Sequence, residues 1–207
     1  MSKPRLVIGS HNRKKRDELL ALLAPHGIPV VTLAEVDSNL PPAVEDGQTF
    51  EENAAKKATH YARALGEWVM ADDSGLCVEA LRGAPGVDSA LYAGQHGDDE
   101  ANNALLIENL AGVSAEKRAA HYVAVLVLAD PLGAVAAVTR GECHGRIVAQ
   151  RRGSNGFGYD PLFEVREYHR TFGQLGPAVK RALSHRSRAM RQMLSRVITL
   201  LGDGSAA

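Results

Sequence analysis

A chain of 207 residues, 45% hydrophobic and 23% charged, has the make-up of a soluble globular protein, long enough to bury a core without disulfide or metal staples. Its two cysteines, Cys77 and Cys143, support neither a disulfide framework nor a four-ligand zinc site, which points to a reducing compartment. No apolar run approaches the roughly 20 residues of a membrane span, and the N-terminus reads as neither signal peptide nor anchor.

The length suits one domain, with or without two lobes. Formal net charge is zero but uneven: Arg140 to Arg196 holds 12 basic residues against 4 acidic ones. A basic half with acids elsewhere suits nucleic acid, or a small polyphosphate held by cations and a metal. It suits equally well a solvated arginine-rich helix face.

In chain order, Leu6-Val7-Ile8 reads as a first strand entering the polar turn Gly9-Ser10-His11-Asn12, followed by a helix from Lys15 to Leu23. Pro25 and Gly27 end that helix, Val30 to Leu33 reads as a second strand, and Glu35 to Gly47 as a loop. Thr49 has the position of an N-cap, with Glu52 as capping-box partner, for a helix running to Leu65 and stopped by Gly66. Trp68 to Ala71 is a strand that delivers two acids to a turn at Ser74-Gly75, and Leu76 to Leu81 continues as another strand. Gly83 to Gly86 is a turn, Ala101 to Leu110 a helix, and His121 to Ala129 a buried strand that pairs through Asp130-Pro131-Leu132-Gly133 with Ala134 to Thr139. Gly153 to Gly158 is a glycine-rich loop. Met190, Met193, Leu194, Val197, Ile198 and Leu201 form one stripe of a last helix, beyond which the tail from Gly202 frays. Helices mixed with strands argue for an α/β fold with helices packed on a mixed sheet.

Five segments carry candidate chemistry, and each also has a purely structural explanation. Ser10 to Lys15 places a hydroxyl, an amide and cations at a helix start, where unpaired N–H groups favour phosphate; it also reads as a capped helix with surface lysines. The segment Glu45 to Asn53 offers a loop carboxylate for a divalent cation, although acids at a helix start serve the helix dipole too. Asp72 and Asp73 repel if they converge, unless a cation such as Mg²⁺ lies between them, and an acid not fully engaged by metal is able to deprotonate water; an Asx-capped turn is the other explanation. Gly156 to Pro161 presents two aromatics between glycines, fit to stack on a base while Asp160 reads its edge, or else to plug the core. Lys180, His185 and Arg186 have the spacing to share a helix start.

In this order the segments resemble the inosine triphosphate pyrophosphatase family, the RdgB-like nucleoside triphosphate pyrophosphatases. The matching pieces are S-x-N-x-x-K at Ser10, Asn12 and Lys15; E-x-G-x-T-F-x-E-N-A from Glu45 to Ala54; A-D-D-S-G-L from Ala71 to Leu76; G-A-P-G at Gly83; F-G-Y-D-P at Phe157; and K-x-x-x-S-H-R from Lys180 to Arg186. The resemblance implies an elongated mixed β-sheet flanked by helices, with two lobes and a central nucleotide cleft. It implies Mg²⁺-dependent hydrolysis of ITP, dITP and XTP to monophosphate and pyrophosphate by a cytoplasmic homodimer with no stable nucleic-acid or membrane partner. Carried over by position, Ser10, His11, Asn12, Arg13, Lys14, Lys15 and Lys57 contact the triphosphate. Glu45, Asp72 and Asp73 form the metal cluster, with Asp73 as general base. Ser74, Phe157, Gly158, Tyr159, Asp160, Lys180, His185 and Arg186 line the nucleotide.

The chain departs from the family pattern at Asp88, Leu91 and Val179, outside the acids and the F-G-Y-D-P loop. Two rivals remain. A Maf-like pyrophosphatase shares the reaction but should differ in its base loops. A nucleotide- or RNA-binding module without turnover gains nothing from an acidic pair that repels phosphate.

Overall fold

The computed structural model describes residues 4–201, so the tail expected to fray from Gly202 lies outside the described residues. Seven strands form one mixed sheet in the order β2-β1-β3-β4-β5-β6-β7: β1 Leu6–Ile8, β2 Val30–Thr32, β3 Trp68–Val78, β4 Ala119–Ala129, β5 Val135–Ile147, β6 Phe163–Val165 and β7 Arg170–Thr171. The helices are α1 Arg13–Leu23, α2 Leu33–Val36, α3 Phe50–Leu65, α4 Asp99–Asn109, α5 Pro177–Leu183 and α6 His185–Leu201. By its internal contacts the chain divides into two compact units; within the described residues the first holds 4–73, 124–141 and 186–201, and the second 74–123 and 142–185.

In the first unit, β1 lies parallel to both neighbours, with Leu6 opposite Val30 and Trp68, and Ile8 opposite Thr32 and Met70. All three β1 side chains are fully buried, as a strand covered on both faces requires. Leu19 and Leu23 of α1, four residues apart, pack with Leu6, Ile8, Leu126, Leu128 and the stripe Ala189, Met190, Met193, Val197 and Leu201 of α6. Ile198, expected in that stripe, is 46% exposed. Helix α3 opens on Thr49, whose hydroxyl accepts from Glu52 N at 3.1 Å, and closes on Gly66 at φ +64°, a left-handed turn that suits glycine.

The second unit packs Leu76, Val78, Leu106, Leu110, Phe163 and Phe172 around Tyr122 and Tyr159. Here β5 pairs antiparallel with β6, and β6 with β7. Asp130, in the first unit, shapes the turn between β4 and β5 by accepting from Leu132 N and Ala134 N.

Several expectations need correction. Leu33 does not extend β2: Thr32 and Glu35 form a capping box that starts α2. The chain does not turn at Ser74-Gly75; β3 runs unbroken to Val78, and a short 3₁₀ turn follows at Glu79–Leu81. The partner strand of β4 extends to Ile147 rather than stopping at Thr139. Lys180 lies in α5, whereas His185 and Arg186 open α6, so the three share no helix start.

Candidate functional site

Because β3 continues through the acidic pair, Asp72 and Asp73 are consecutive strand residues whose side chains leave opposite faces. Both are buried, at 1% and 5% exposure. A buried carboxylate is costly unless paired, so the partners of each acid decide what it does.

Asp72 is gripped by cations. Its Oδ2 accepts from Arg186 Nε at 3.2 Å and lies 3.9 Å from Lys15 Nζ. The turn after β1 aims Lys15: Asn12 caps α1, its Oδ1 accepting from Lys15 N at 3.2 Å. Arg186, 2% exposed, also donates through Nη1 to Glu18. Burial opposes charge on Asp72, yet Lys15, Arg186 and Lys57 outweigh it and hold the carboxyl below the usual range. Burial likewise opposes charge on Arg186, and Asp72 and Glu18 raise its pKa despite that. Lys15 goes the other way: burial lowers its pKa even beside Asp72.

Asp73 is held on one side only. Its Oδ1 accepts from Lys57 Nζ at 3.0 Å, while Oδ2 is buried with no hydrogen-bond partner. Lys57 also donates to Glu45 Oε2 at 2.7 Å. Burial pushes the Asp73 carboxyl up, and Lys57 and Lys15 do not compensate. On Lys57, burial is outweighed by Asp73, Asp72 and Glu45, which raise its pKa. The asymmetry has a simple source: Lys57 faces three carboxylates, whereas Asp73 shares Lys57 with Glu45 and has Asp72 as a like-charged neighbour.

The loop bearing Glu45 is fixed on both sides. Tyr61 Oη accepts from Ala43 N at 3.0 Å, and Asn53 Oδ1 from Gly47 N at 2.8 Å. A Cβ on Gly47 would come within 2.6 Å of Asn53 Oδ1, so this close approach needs glycine. Tyr61 and Glu18 are absent from the sequence-based candidates. Glu18 had a signal, since it follows Lys15 by three residues on one helix face; Tyr61 had none beyond a helical position.

Not every cation of the first turn joins this cluster. Arg13 pairs with Asp17 at 3.8 Å on the exposed side of α1, and Lys14 is exposed. Ser10 is half-buried, and the His11 ring meets Tyr61 edge-on at 5.8 Å.

Among the described residues, no group of three or more His, Cys, Asp or Glu side chains is arranged to hold a metal ion. The expected Glu45–Asp72–Asp73 cluster is divided, because Lys57 stands between Glu45 and Asp73 while Asp72 is engaged by Arg186. A pair of these acids still fits Mg²⁺. Glu45 and the open Oδ2 of Asp73 are hard oxygen donors, and Mg²⁺ commonly takes only one or two carboxylates beside water and phosphate.

The second unit holds the aromatic candidates. Lys180 Nζ lies 4.4 Å from the Phe157 ring centroid and donates to Asp160 Oδ2 at 2.6 Å. Asp160 is buried and turned inward: the same oxygen accepts from Phe157 N at 2.8 Å. A Cβ on Gly156 would lie 1.9 Å from it, and Gly156 has φ +77°, so glycine is required twice over. Tyr159 plugs the core, 4% exposed, and donates to Ser89 O at 2.9 Å, with its pKa pushed up mainly by burial. Of the two loop aromatics only Phe157 remains half-buried with a ring to offer. His185 stacks on Tyr122 at 4.7 Å and 10°. Ser74 is half-buried on β3.

A sequence model of the Ham1 family matches residues 6–196. The chain is 51% identical over 202 residues to a dITP/XTP pyrophosphatase of Rhodopirellula baltica, covering 98% of this chain and 97% of that one. It is 48% identical to a dITP/XTP pyrophosphatase of Lactiplantibacillus plantarum, covering 95% and 96%. Among solved structures, the Ham1 protein of Staphylococcus aureus superposes with a TM-score of 0.83 at 36% identity, covering 95% of this chain and 99% of the other. A HAM1 protein from Coxiella burnetii superposes at 0.84 and 38%, with the same coverage.

Proposed function

The chain belongs to the Ham1 family, and from that premise we propose that it is a nucleoside triphosphate pyrophosphatase. Its reaction is Mg²⁺-dependent hydrolysis of non-canonical purine nucleoside triphosphates, ITP, dITP and XTP, to monophosphate and pyrophosphate. The observation that carries the reading is Asp73, a buried carboxylate with one oxygen anchored by Lys57 and the other open.

Attack at the α-phosphorus requires a water that is oriented and deprotonated, and a polyanion that is neutralised. Asp73 has lone pairs to spare and a pKa raised by burial, which suits a group that must hold a proton during attack. Asp72 is unsuited to that role, since its cations keep it ionised; it anchors Lys15 and Arg186 instead. Lys15 and Lys57 counter phosphate charge from fixed positions, which costs no reorganisation during reaction. Glu45 and Asp73 would hold Mg²⁺, which when bound supplies Lewis-acid neutralisation of phosphate oxygens.

The second unit supplies chemistry for the base. Phe157, with Lys180 above its ring, offers a stacking face, and His185 is a donor suited to a 6-oxo purine. A site built to donate there rejects a 6-amino purine, because a buried donor would be left unpaired. Among the described residues no helix is long and apolar enough to cross a membrane. A cytoplasmic homodimer without a stable nucleic-acid partner completes the proposal.

The test is pyrophosphate release from ITP, dITP, XTP, GTP and ATP with and without Mg²⁺. The reading requires turnover of the first three, at least tenfold preference over ATP, and loss of turnover in chelator. Equal rates on ATP, or no release from any 6-oxo purine, would reject it.

A further inference from the structure

One turn of α4 holds both ends of the segment that carries Phe157. Glu100, exposed at the start of α4, accepts from Arg151 Nη2 at 2.8 Å. Asp99 Oδ2 accepts from Gly158 N at 3.0 Å. Asn103 Nδ2 donates to Gly158 O at 2.9 Å and to Asp99 O at 2.6 Å. Both donations go to backbone carbonyls, so the amide orientation of Asn103 is fixed by its partners. Asn103 is 1% exposed, and its Oδ1 has no hydrogen-bond partner, so the side chain is buried for what its nitrogen does.

We infer that Asp99 and Asn103 are positioning residues for base recognition: they hold the two peptide groups that flank the Gly158 Cα, one by its N–H and the other by its C=O, and so set the direction of the Phe157 ring. The inference rests on the nucleotide reading above. The clamp answers a specific weakness. Gly153, Gly156 and Gly158 all have positive φ, and glycine adopts either hand at little cost, so the segment is intrinsically loose. Asp160 accepts from Phe157 N within the loop, while the Gly158 N–H and C=O are held from α4. With the N–H of the Phe157–Gly158 peptide and the C=O of the Gly158–Tyr159 peptide both held by α4, a flip of either peptide breaks a hydrogen bond, and less order has to be imposed when a base arrives. Neither residue is among those given a part in phosphate chemistry, so the clamp should act on binding and base choice rather than on the hydrolytic step.

The experiment compares Asn103→Leu and Asp99→Ala with Asp99→Asn, which keeps an acceptor oxygen for Gly158 N. Steady-state kinetics on ITP and ATP are read beside thermal unfolding and hydrogen exchange of the Gly158 amide. Each lost hydrogen bond is worth up to about tenfold in an equilibrium. Asn103→Leu and Asp99→Ala should therefore raise KM for ITP roughly tenfold, keep kcat within about threefold, and narrow the preference over ATP; Asp99→Asn should stay within about threefold of wild type throughout. Folded variants with unchanged KM, or with reduced kcat at unchanged KM, would overturn the inference. Should wild type turn over none of the 6-oxo purines, the functional reading has failed on its own. The clamp then stands or falls on Gly158 exchange, which must speed up in Asp99→Ala and Asn103→Leu.

Discussion

In the first unit, Asp72, Asp73, Glu45, Lys15, Lys57 and Arg186 form a chain of charged contacts at distances of 2.7 to 3.9 Å. In the second, Asp160 is spent on Lys180 and on the Phe157 amide, the Gly158 backbone is held by Asp99 and Asn103, and the Phe157 ring stays half-buried beside Lys180. Under the proposed function, the difference corresponds to two kinds of recognition. A triphosphate is a dense charge and is met by charges whose protonation is tuned by neighbours. A purine base is nearly neutral and flat, and is met by stacking.

That contrast breaks if damage in one unit has the signature of the other. The largest effect outside the acids is expected at Phe157. Aromatic stacking is worth roughly 1–3 kcal/mol per base, so Phe157→Ala should raise KM for ITP by about tenfold or more, with kcat within about threefold. Steady-state kinetics decide it, and a fall in kcat at constant KM would place Phe157 in the hydrolytic step.

A smaller effect sharpens the contrast between the adjacent acids. Asp73 has a raised folded-state pKa, so its favourable contribution is present below the unfolded pKa and is lost as pH rises through the folded value. Ionised Asp73 therefore weakens the fold at neutral pH, and Asp73→Asn should melt higher than wild type in chelator. The gain should shrink as pH falls below the folded pKa. Thermal unfolding across pH checks it; a variant less stable than wild type at neutral pH would reverse the sign.

Much of the scaffold was legible because local signals agreed with burial. Leu6 to Ile8, the Thr49 cap with its Gly66 stop, and most of the α6 stripe fall where pattern and propensity placed them. The acidic pair misled because Ser74-Gly75 is turn-like locally, whereas Leu76 and Val78 belong to the second unit's core and keep the strand extended. The Thr32–Glu35 box was present in sequence but masked by the apolar run before it. At the site, the residue types were legible and their pairings were not. Nothing local says that Asp160 turns inward, that Lys57 divides Glu45 from Asp73, or that Glu18 reaches Arg186 168 positions away, because long-range packing decides all three.

The most direct test of the account is Asp73→Asn, assayed for ITP turnover and for ITP binding on the same protein. General-base catalysis alone contributes typically 10²- to 10⁴-fold, so kcat should fall by at least about a hundredfold while nucleotide affinity stays within a few-fold of wild type. Turnover within about tenfold of wild type, or loss of binding in step with loss of rate, would contradict the assignment of Asp73 as the proton acceptor.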